Sequence, residues 1–263
     1  MCVNYITVPR QVCFDWFRTP IEAGEDWREE IYQDYQAPFI VHNERGERQG
    51  LLGNYGFVPK RHMQPGRSMT TMNARSETVG ELWTYKRTWA ESKLCLVPAM
   101  AIFEPNWEQQ KHERWAIGMA DKSPYAVAGI WRSWDEADGS KSHSFTQLTV
   151  NADEHGLMRR FHRPDDEKRS VVIIRPEDYD DWLGCRNPEM ARAFLQLYPA
   201  ELLHAYAAPR QTIAKAAPPA TPPRKVPCSK TLNWRRPRSS GRPGLHPPGG
   251  CRARSRHAAP ARR

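Results

Sequence analysis

Several features that would place this chain in a common class are missing from it. No apolar run approaches the roughly 18 residues that a membrane-spanning helix needs. The N-terminus has no basic stretch followed by an apolar core and a small-residue cleavage site, so no secretory signal is predicted. No CxxC motif occurs, and no cysteine and histidine stand at the spacing of a zinc site. We therefore expect a cytoplasmic protein with reduced thiols, no membrane partner, no metal and no other cofactor.

Acidic residues are also missing from one end of the chain. The 263 residues include 39 Lys and Arg against 30 Asp and Glu, a formal charge of +9. From Leu202 onward there are 14 basic residues and no acidic one, which leaves 25 basic and 30 acidic residues before that point, a net charge of −5. Nucleic-acid binding by the body therefore requires a local basic cluster, because its net field does not attract a polyanion.

The composition changes near residue 208. Eleven of the 23 prolines lie in 209–263, among Arg, Ala, Ser and Gly. Such a segment buries too little apolar surface to offset chain entropy, so we predict a folded domain over 1–207 and a disordered basic tail over 208–263. The tail adds weak affinity for polyanions or has no role, and a GC-rich gene read in a shifted frame gives a similar composition.

Short strands dominate the predicted secondary structure. Segments rich in β-branched and aromatic residues predict strands at 39–42, 50–58, 94–98, 115–119, 125–130, 144–150 and 170–174. Helices are predicted at 78–90, 155–162, 176–183 and 188–197. Strands do not alternate regularly with helices, which argues against a doubly wound fold. We predict an α+β domain: a barrel-like, mostly antiparallel sheet with peripheral helices.

Cys2 has a property that no other cysteine shares. If Met1 is removed, Cys2 carries a free α-amine, with a pKa of about 7.7–8.0, and a thiol on adjacent carbons. An amine attacks an aldehyde to give a Schiff base, and the neighbouring thiol then closes onto the imine carbon as a thiazolidine. The alternative is an incidental cysteine behind the initiator methionine.

Two motifs in the middle of the chain carry candidate polar groups. Asn73, Arg75 and Glu77 alternate in TMNARSETV, as side chains on one face of an extended segment do. Arg75 offers a fork for a phosphate or carboxylate, although the same pattern suits a strand with a polar face. Glu104 stands among apolar residues in AIFEPNWE, where a carboxylate tends to have a raised pKa and to exchange protons near neutrality. A glutamate in a turn before Pro105 is the alternative.

A histidine follows in a basic context. His162 falls at the margin of the predicted helix 155–162, next to Arg159, Arg160 and Arg163. These arginines are candidates for phosphate contacts. A structural histidine is the alternative, with the acidic residues of 165–167 neutralising the arginines.

Together these motifs resemble the SRAP family, the SOS-response-associated peptidases. The matching elements are the Met-Cys start with an aromatic at position 5, and NYGFVP, NARSETV, LCLVPAMAIFEPNW, FTQLTVNAD and RFHRP, in the family's order. The resemblance covers about residues 1–205. It implies a mixed α/β fold around a barrel-like sheet, and a protein that binds single-stranded DNA and joins covalently to abasic sites in the DNA damage response.

The resemblance also implies roles for individual residues. Cys2 is the nucleophile, Asn73 orients its reactive end, and Glu104 and His162 handle protons. Arg75 contacts a phosphate, and further DNA contacts are expected from Tyr55, Lys60, Arg61, Arg160 and Arg163. We expect a monomer that associates with the nucleoid when bound to DNA.

The chain departs from the family pattern at several positions. Val3 and Asn4 replace the usual Gly-Arg, whose arginine contacts DNA, and Tyr55 replaces a tryptophan. Lys60, Arg61 and His62 stand where a tryptophan often supports base stacking, Pro105 replaces an aromatic, and the segment after His162 is longer and more acidic. We therefore expect the same reaction, with DNA held more by charge than by stacking.

Two other functions are considered, one that uses the same candidate catalytic residues and one that needs no catalytic residue. A cysteine autopeptidase that removes its own N-terminal residue would use Cys2, Glu104 and His162, and its action at Met1 would expose the aminothiol. A non-catalytic reader of modified or single-stranded DNA would need no covalent step. A DNA adduct that survives denaturation is expected only from the crosslinking protein.

Overall fold

The computed structural model describes residues 4–21, 26–109 and 112–210. The strands are β1 (Asn4–Ile6), β2 (Glu30–Tyr32), β3 (Gln36–His42), β4 (Arg48–Tyr55), β5 (Asn73–Arg75), β6 (Leu94–Ala99), β7 (Ala101–Asn106), β8 (Glu113–Met119), β9 (Tyr125–Asp135), β10 (Lys141–Asn151), β11 (Arg169–Val171), β12 (Ile173–Ile174) and β13 (Leu203–Ala207). The α-helices are α1 (Arg10–Asp15), α2 (Lys86–Ala90), α3 (Tyr179–Gly184) and α4 (Pro188–Ala191). Single 3-10 turns lie at Lys60–His62, Met158–Arg160, Pro176–Asp178, Arg192–Phe194 and Ala200–Leu202.

Five strands close into a barrel. Their order is β10-β4-β3-β6-β9, and β9 pairs back onto β10. Every neighbouring pair is antiparallel except β10 and β4, which are parallel. An odd number of strands cannot alternate in direction all the way round a closed ring, so one parallel pairing is required. Beyond the end of β4, the short strand β5 continues the parallel pairing with β10.

The barrel is filled by aromatic rings from strands that are not neighbours. Phe39 of β3 lies 5.8 Å from Trp131 of β9 and 5.3 Å from Phe145 of β10, measured between ring centroids. The strands approach closely at Gly129, where a Cβ would lie 2.6 Å from the Thr146 carbonyl oxygen and 2.9 Å from the Cys95 sulfur. Side chains alternate between this interior and an outer layer that is also buried, as period-2 strands covered on both faces require.

A second sheet carries the candidate chemistry. Its order is β13-β8-β7-β1-β2, with all neighbours antiparallel. Only Met100 separates β6 of the barrel from β7 of this sheet, and its amide donates to the Ile6 carbonyl at 2.8 Å. The chain thus passes directly from the barrel into the strand that bears Glu104, next to the strand that begins at Asn4.

Two of the predicted helices are wrong in extent. In the interval 78–90 only α2 is α-helical, because Gly80 is a poor helix former and the 84% exposure of Trp83 leaves no complete apolar face. In 155–162 only Met158–Arg160 forms a 3-10 turn. There Phe161 is extended and bridges to Asn106, and His162 has a left-handed backbone with φ +66°, which no helix continues. The prediction at 176–183 is confirmed by a 3-10 turn that leads into α3, and 188–197 holds α4 followed by a 3-10 turn.

The predicted fold class is confirmed: an α+β domain with a barrel-like, mostly antiparallel sheet and peripheral helices. All seven predicted strands are present, with 170–174 divided between β11 and β12, while β1, β2, β5, β7 and β13 are not among those seven. In the part of the chain that the structure describes, no helix is long and apolar enough to cross a membrane. Of the predicted tail only residues 208–210 are described, and Ala208 still pairs with Arg114 through its amide and carbonyl. The rest of the tail lies outside the described residues, so the domain boundary stays a prediction.

Candidate active site and nucleic-acid interface

A buried carboxylate and a buried imidazole meet beside β7. Glu104 is 3% exposed and His162 is 7% exposed, and the His162 Nε2 lies 3.1 Å from the Glu104 Oε2. The His162 amide donates to the Pro105 carbonyl at 2.9 Å, which anchors the turn against the strand. The structure therefore brings together two residues that are 58 positions apart and that the sequence pointed to separately.

The first described strand, β1, pairs with the strand that bears Glu104. In the antiparallel pairing of β1 and β7, Tyr5 lies opposite Ile102 and Ile6 opposite Ala101, so the Glu104 end of β7 lies toward the Asn4 end of β1. Cys2 itself lies outside the described residues.

Asn4, which stands where the family has an arginine, is directed to an acidic side chain. Its amide nitrogen donates to Glu30 on β2, and the same carboxylate pairs with Arg114 and accepts from the Tyr32 hydroxyl at 2.6 Å. The guanidinium of Arg114 also lies over the Phe103 ring at 3.2 Å. This cluster fixes the first described residues of β1, a role the sequence did not reveal.

Asn73 is linked to the same region through the barrel. It is 9% exposed on β5 and lies opposite Gln147 of β10. The Gln147 Oε1 accepts from the Tyr55 hydroxyl at 3.2 Å, and the Tyr55 ring packs edge-on against Tyr5 of β1 at 5.1 Å. Sequence reasoning missed Gln147, whose signal was a polar side chain in the apolar alternation of FTQLTV.

Tyr55 is fully buried, and its expected contact with DNA stays a prediction. Its side chain is 0% exposed in the barrel core, so in this structure it offers no surface to a DNA strand. The ring instead supports Tyr5 and Gln147, because a tyrosine placed inside a barrel packs its ring while its hydroxyl finds an internal partner.

The basic residues expected to hold DNA are largely paired with internal carboxylates. Arg75 Nη1 lies 2.8 Å from Glu167 Oε2, and Lys60 Nζ lies 3.5 Å from Asp34 Oδ2. Arg61 donates to Glu136 at 2.8 Å and 3.0 Å. The Ser142 hydroxyl and then the Arg61 guanidinium hold the pKa of Glu136 at about 2.

Arg160 and Arg163 lie near His162 but differ in their pairing. Arg160 makes two bonds to Glu108, at 2.9 Å and 3.0 Å, and this contact lowers the pKa of Glu108 to about 2. Arg163 lies over the Trp107 ring at 5.5 Å. A surface depression of about 590 Å³ opens here, and its lining includes Trp107, Glu108, Arg159, Arg160, His162 and Lys168. Of the arginines next to His162, Arg160 is thus paired with Glu108 and not with a carboxylate of the segment 165–167.

The described residues hold no group of three or more His, Cys, Asp or Glu side chains arranged to bind a metal ion. The described side chains of the site are a buried acid–base pair, an amide on β5 and arginines at the margin.

Comparison with known proteins identifies the family. The sequence profile of the SOS response associated peptidase (SRAP) family matches residues 1–213. The chain belongs to the SRAP family. The resemblance drawn from the motifs is thereby confirmed.

Known proteins of similar sequence or structure agree with this assignment. The abasic site processing proteins YoqW and YobE of Bacillus subtilis (strain 168) are each 26% identical over 172 residues, which is 64% of this chain and 72% and 74% of theirs. A crystal structure of a Bordetella bronchiseptica protein is 33% identical, with a TM-score of 0.70 over 79% of this chain and 99% of that one. A Bacteroides thetaiotaomicron protein at 19% identity and a TM-score of 0.62 shares the fold.

Proposed function

We propose that this SRAP protein processes abasic sites in single-stranded DNA by forming a thiazolidine crosslink through Cys2. The observation that carries the proposal is the buried Glu104–His162 pair at 3.1 Å, at the end of β7 that lies toward the Asn4 end of β1. The names of the two Bacillus relatives, abasic site processing proteins, support the substrate.

The chemistry follows from an aldehyde meeting an N-terminal aminothiol. An abasic sugar opens to an aldehyde, the Cys2 amine adds to its carbon, and water leaves to give an imine. The Cys2 sulfur then bonds to the imine carbon while the nitrogen takes a proton, so the net change is loss of one water. Ring opening and dehydration each move protons, and in this proposal Glu104 and His162 carry them. The imine could also support β-elimination, which would cleave the strand.

The remaining residues take binding roles in this proposal. Asn73 orients the reactive end, since its strand is tied through Gln147 and Tyr55 to Tyr5 of β1. Arg75, two residues further on β5, contacts a phosphate. Lys60, Arg61, Arg160 and Arg163 contribute to the positively charged margin of the strand path.

The test is a crosslinking assay under denaturing conditions. We expect a shifted band with a single-stranded oligonucleotide that carries one abasic site, and none with its tetrahydrofuran analogue, which has no aldehyde. Cys2→Ala keeps the amine but cannot close the ring, so it should give only a labile imine that borohydride traps. An adduct of Cys2→Ala as durable as that of the wild type, or a protein that retains Met1 and still crosslinks, would contradict the N-terminal mechanism.

Autopeptidase action is a second candidate function. The family description as peptidases favours it, and so does the position of the Glu104–His162 pair beside the strand that starts at Asn4. Intact-mass measurement of protein made without methionine aminopeptidase tests it. Loss of Met1 in the wild type and its retention in Glu104→Gln would support self-processing, whereas loss in both would refute it.

A further inference from the structure

The guanidinium of Arg75 is already bound to a carboxylate in the absence of DNA. Its Nη1 lies 2.8 Å from Glu167 Oε2, although the Arg75 side chain is 49% exposed and could reach into solvent. Glu167 belongs to the acidic segment by which this chain departs from the family pattern.

Glu167 is held in place without help from Arg75. Its other oxygen, Oε1, accepts from Arg169 Nη1 at 2.7 Å and from the Asn151 amide at 3.2 Å. The hydrogen bond from Arg169 lowers the pKa of Glu167, which is therefore ionised at neutral pH.

Arg169 is itself a fixed anchor. It is 3% exposed, makes two bonds to Glu77 at 2.9 Å and 2.8 Å, and donates to the Thr149 carbonyl at 2.7 Å. The carboxylate of Glu167 thus stays where it is when Arg75 moves. The contact is asymmetric: one partner is fixed and the other is a half-exposed side chain that can leave.

We propose that Glu167 is an internal competitor for Arg75 that weakens the binding of DNA phosphates and so limits the occupancy of the site on intact strands. Arg75 and Arg169 balance Glu77 and Glu167, so an approaching strand meets a locally neutral cluster rather than a free guanidinium. A phosphate gains the Arg75 contact only by displacing or sharing a carboxylate that already satisfies it. This inference rests on the proposed function for the role of Arg75 as a phosphate ligand.

The competition bears on specificity. A strand with an aldehyde is retained covalently, whereas an intact strand is retained only by reversible contacts. Weakening those contacts shortens the time spent on intact DNA and leaves covalent capture at saturating DNA unaffected. Glu167 is in this sense a specificity-determining residue that acts through Arg75.

The experiment measures reversible binding of an intact fluorescent oligonucleotide by anisotropy, which requires no covalent step. Glu167→Gln removes the charge and keeps an amide oxygen that Arg169 can use. We expect it to tighten binding about two- to fivefold, the range of an exposed ion pair. Asp166→Asn is the matched control: it changes the net charge equally in the same exposed segment, and its side chain makes no contact with Arg75. In an Arg75→Gln background the gain from Glu167→Gln should vanish.

Three results would overturn the inference: no gain or a loss of affinity in Glu167→Gln, an equal gain in Asp166→Asn, or a gain that persists without Arg75. A purely structural role of Glu167 predicts the loss. The proposed function is judged separately by the denaturing gel with the abasic oligonucleotide. If no adduct forms while the Arg75-dependent gain is present, the crosslinking chemistry fails and the competition stands.

Discussion

Replacing His162 tests whether this residue transfers protons or holds DNA. The backbone conformation at position 162 determines which substitution is easier to interpret. His162 has φ +66°, a left-handed conformation that Asn tolerates better than Ala. His162→Asn therefore removes the imidazole with less strain, whereas His162→Ala adds up to about 1–2 kcal/mol of backbone strain. For a domain of this size, each kcal/mol of destabilisation lowers the melting temperature by about 2–4 °C. The alanine variant should therefore melt at a lower temperature than the asparagine variant.

The expected effect on catalysis is the same in both variants. Each removes the nitrogen that lies 3.1 Å from Glu104 Oε2, and a positioned acid or base contributes about 10²–10⁴-fold to a proton-transfer step. We expect adduct formation at saturating abasic oligonucleotide to slow by that factor, with little change in the dissociation constant for intact DNA. Glu104→Gln should behave alike.

The assay is single-turnover crosslinking followed on denaturing gels over a range of oligonucleotide concentrations. His204→Ala, an exposed histidine on β13, controls for loss of an imidazole elsewhere. If excess DNA restores the rate of His162→Asn, then His162 holds DNA and the assignment of proton transfer is wrong.

Three further predictions concern the scaffold and the tail. Gly129→Ala should destabilise the barrel by about 1–3 kcal/mol, because the new Cβ would lie 2.6 Å from a backbone oxygen; thermal melting checks this, with Gly156→Ala, which meets only an ordinary contact at 3.4 Å, as control. Burial raises the pKa of Cys13 to about 12 and that of Cys95 well above its usual value, so neither thiol should react with iodoacetamide at pH 8 until the protein unfolds; peptide mapping that finds native labelling would refute this. Deleting 211–263, which removes 13 basic residues, should leave adduct yield at saturating DNA unchanged and weaken binding mainly at low salt; an equal loss at high salt would contradict an electrostatic role.

The strands could be predicted because their signal is local. Alternating or continuous runs of β-branched and aromatic residues mark β3, β6, β9 and β10 directly. The closure of the barrel could not be predicted in this way, since the pairing of β10 with both β9 and β4 depends on contacts between residues far apart in the chain. The interval 155–162 misled for the same reason: its bridge to Asn106 and the bond from His162 to Pro105 outweigh a weak helical periodicity.

The sequence by itself determined the chemical inventory: a cysteine at position 2, the Asn73–Arg75 motif, an acid at 104 and a histidine at 162, in an order that resembles SRAP proteins. Only the tertiary structure decided what these groups do to one another. It placed Glu104 beside His162, buried Tyr55 in the core, and paired Arg75, Arg61 and Arg160 with carboxylates. The physical reason is that residue type determines which protons, charges and hydrogen bonds a side chain can offer. Burial and distance determine whether a neighbouring group already binds that side chain.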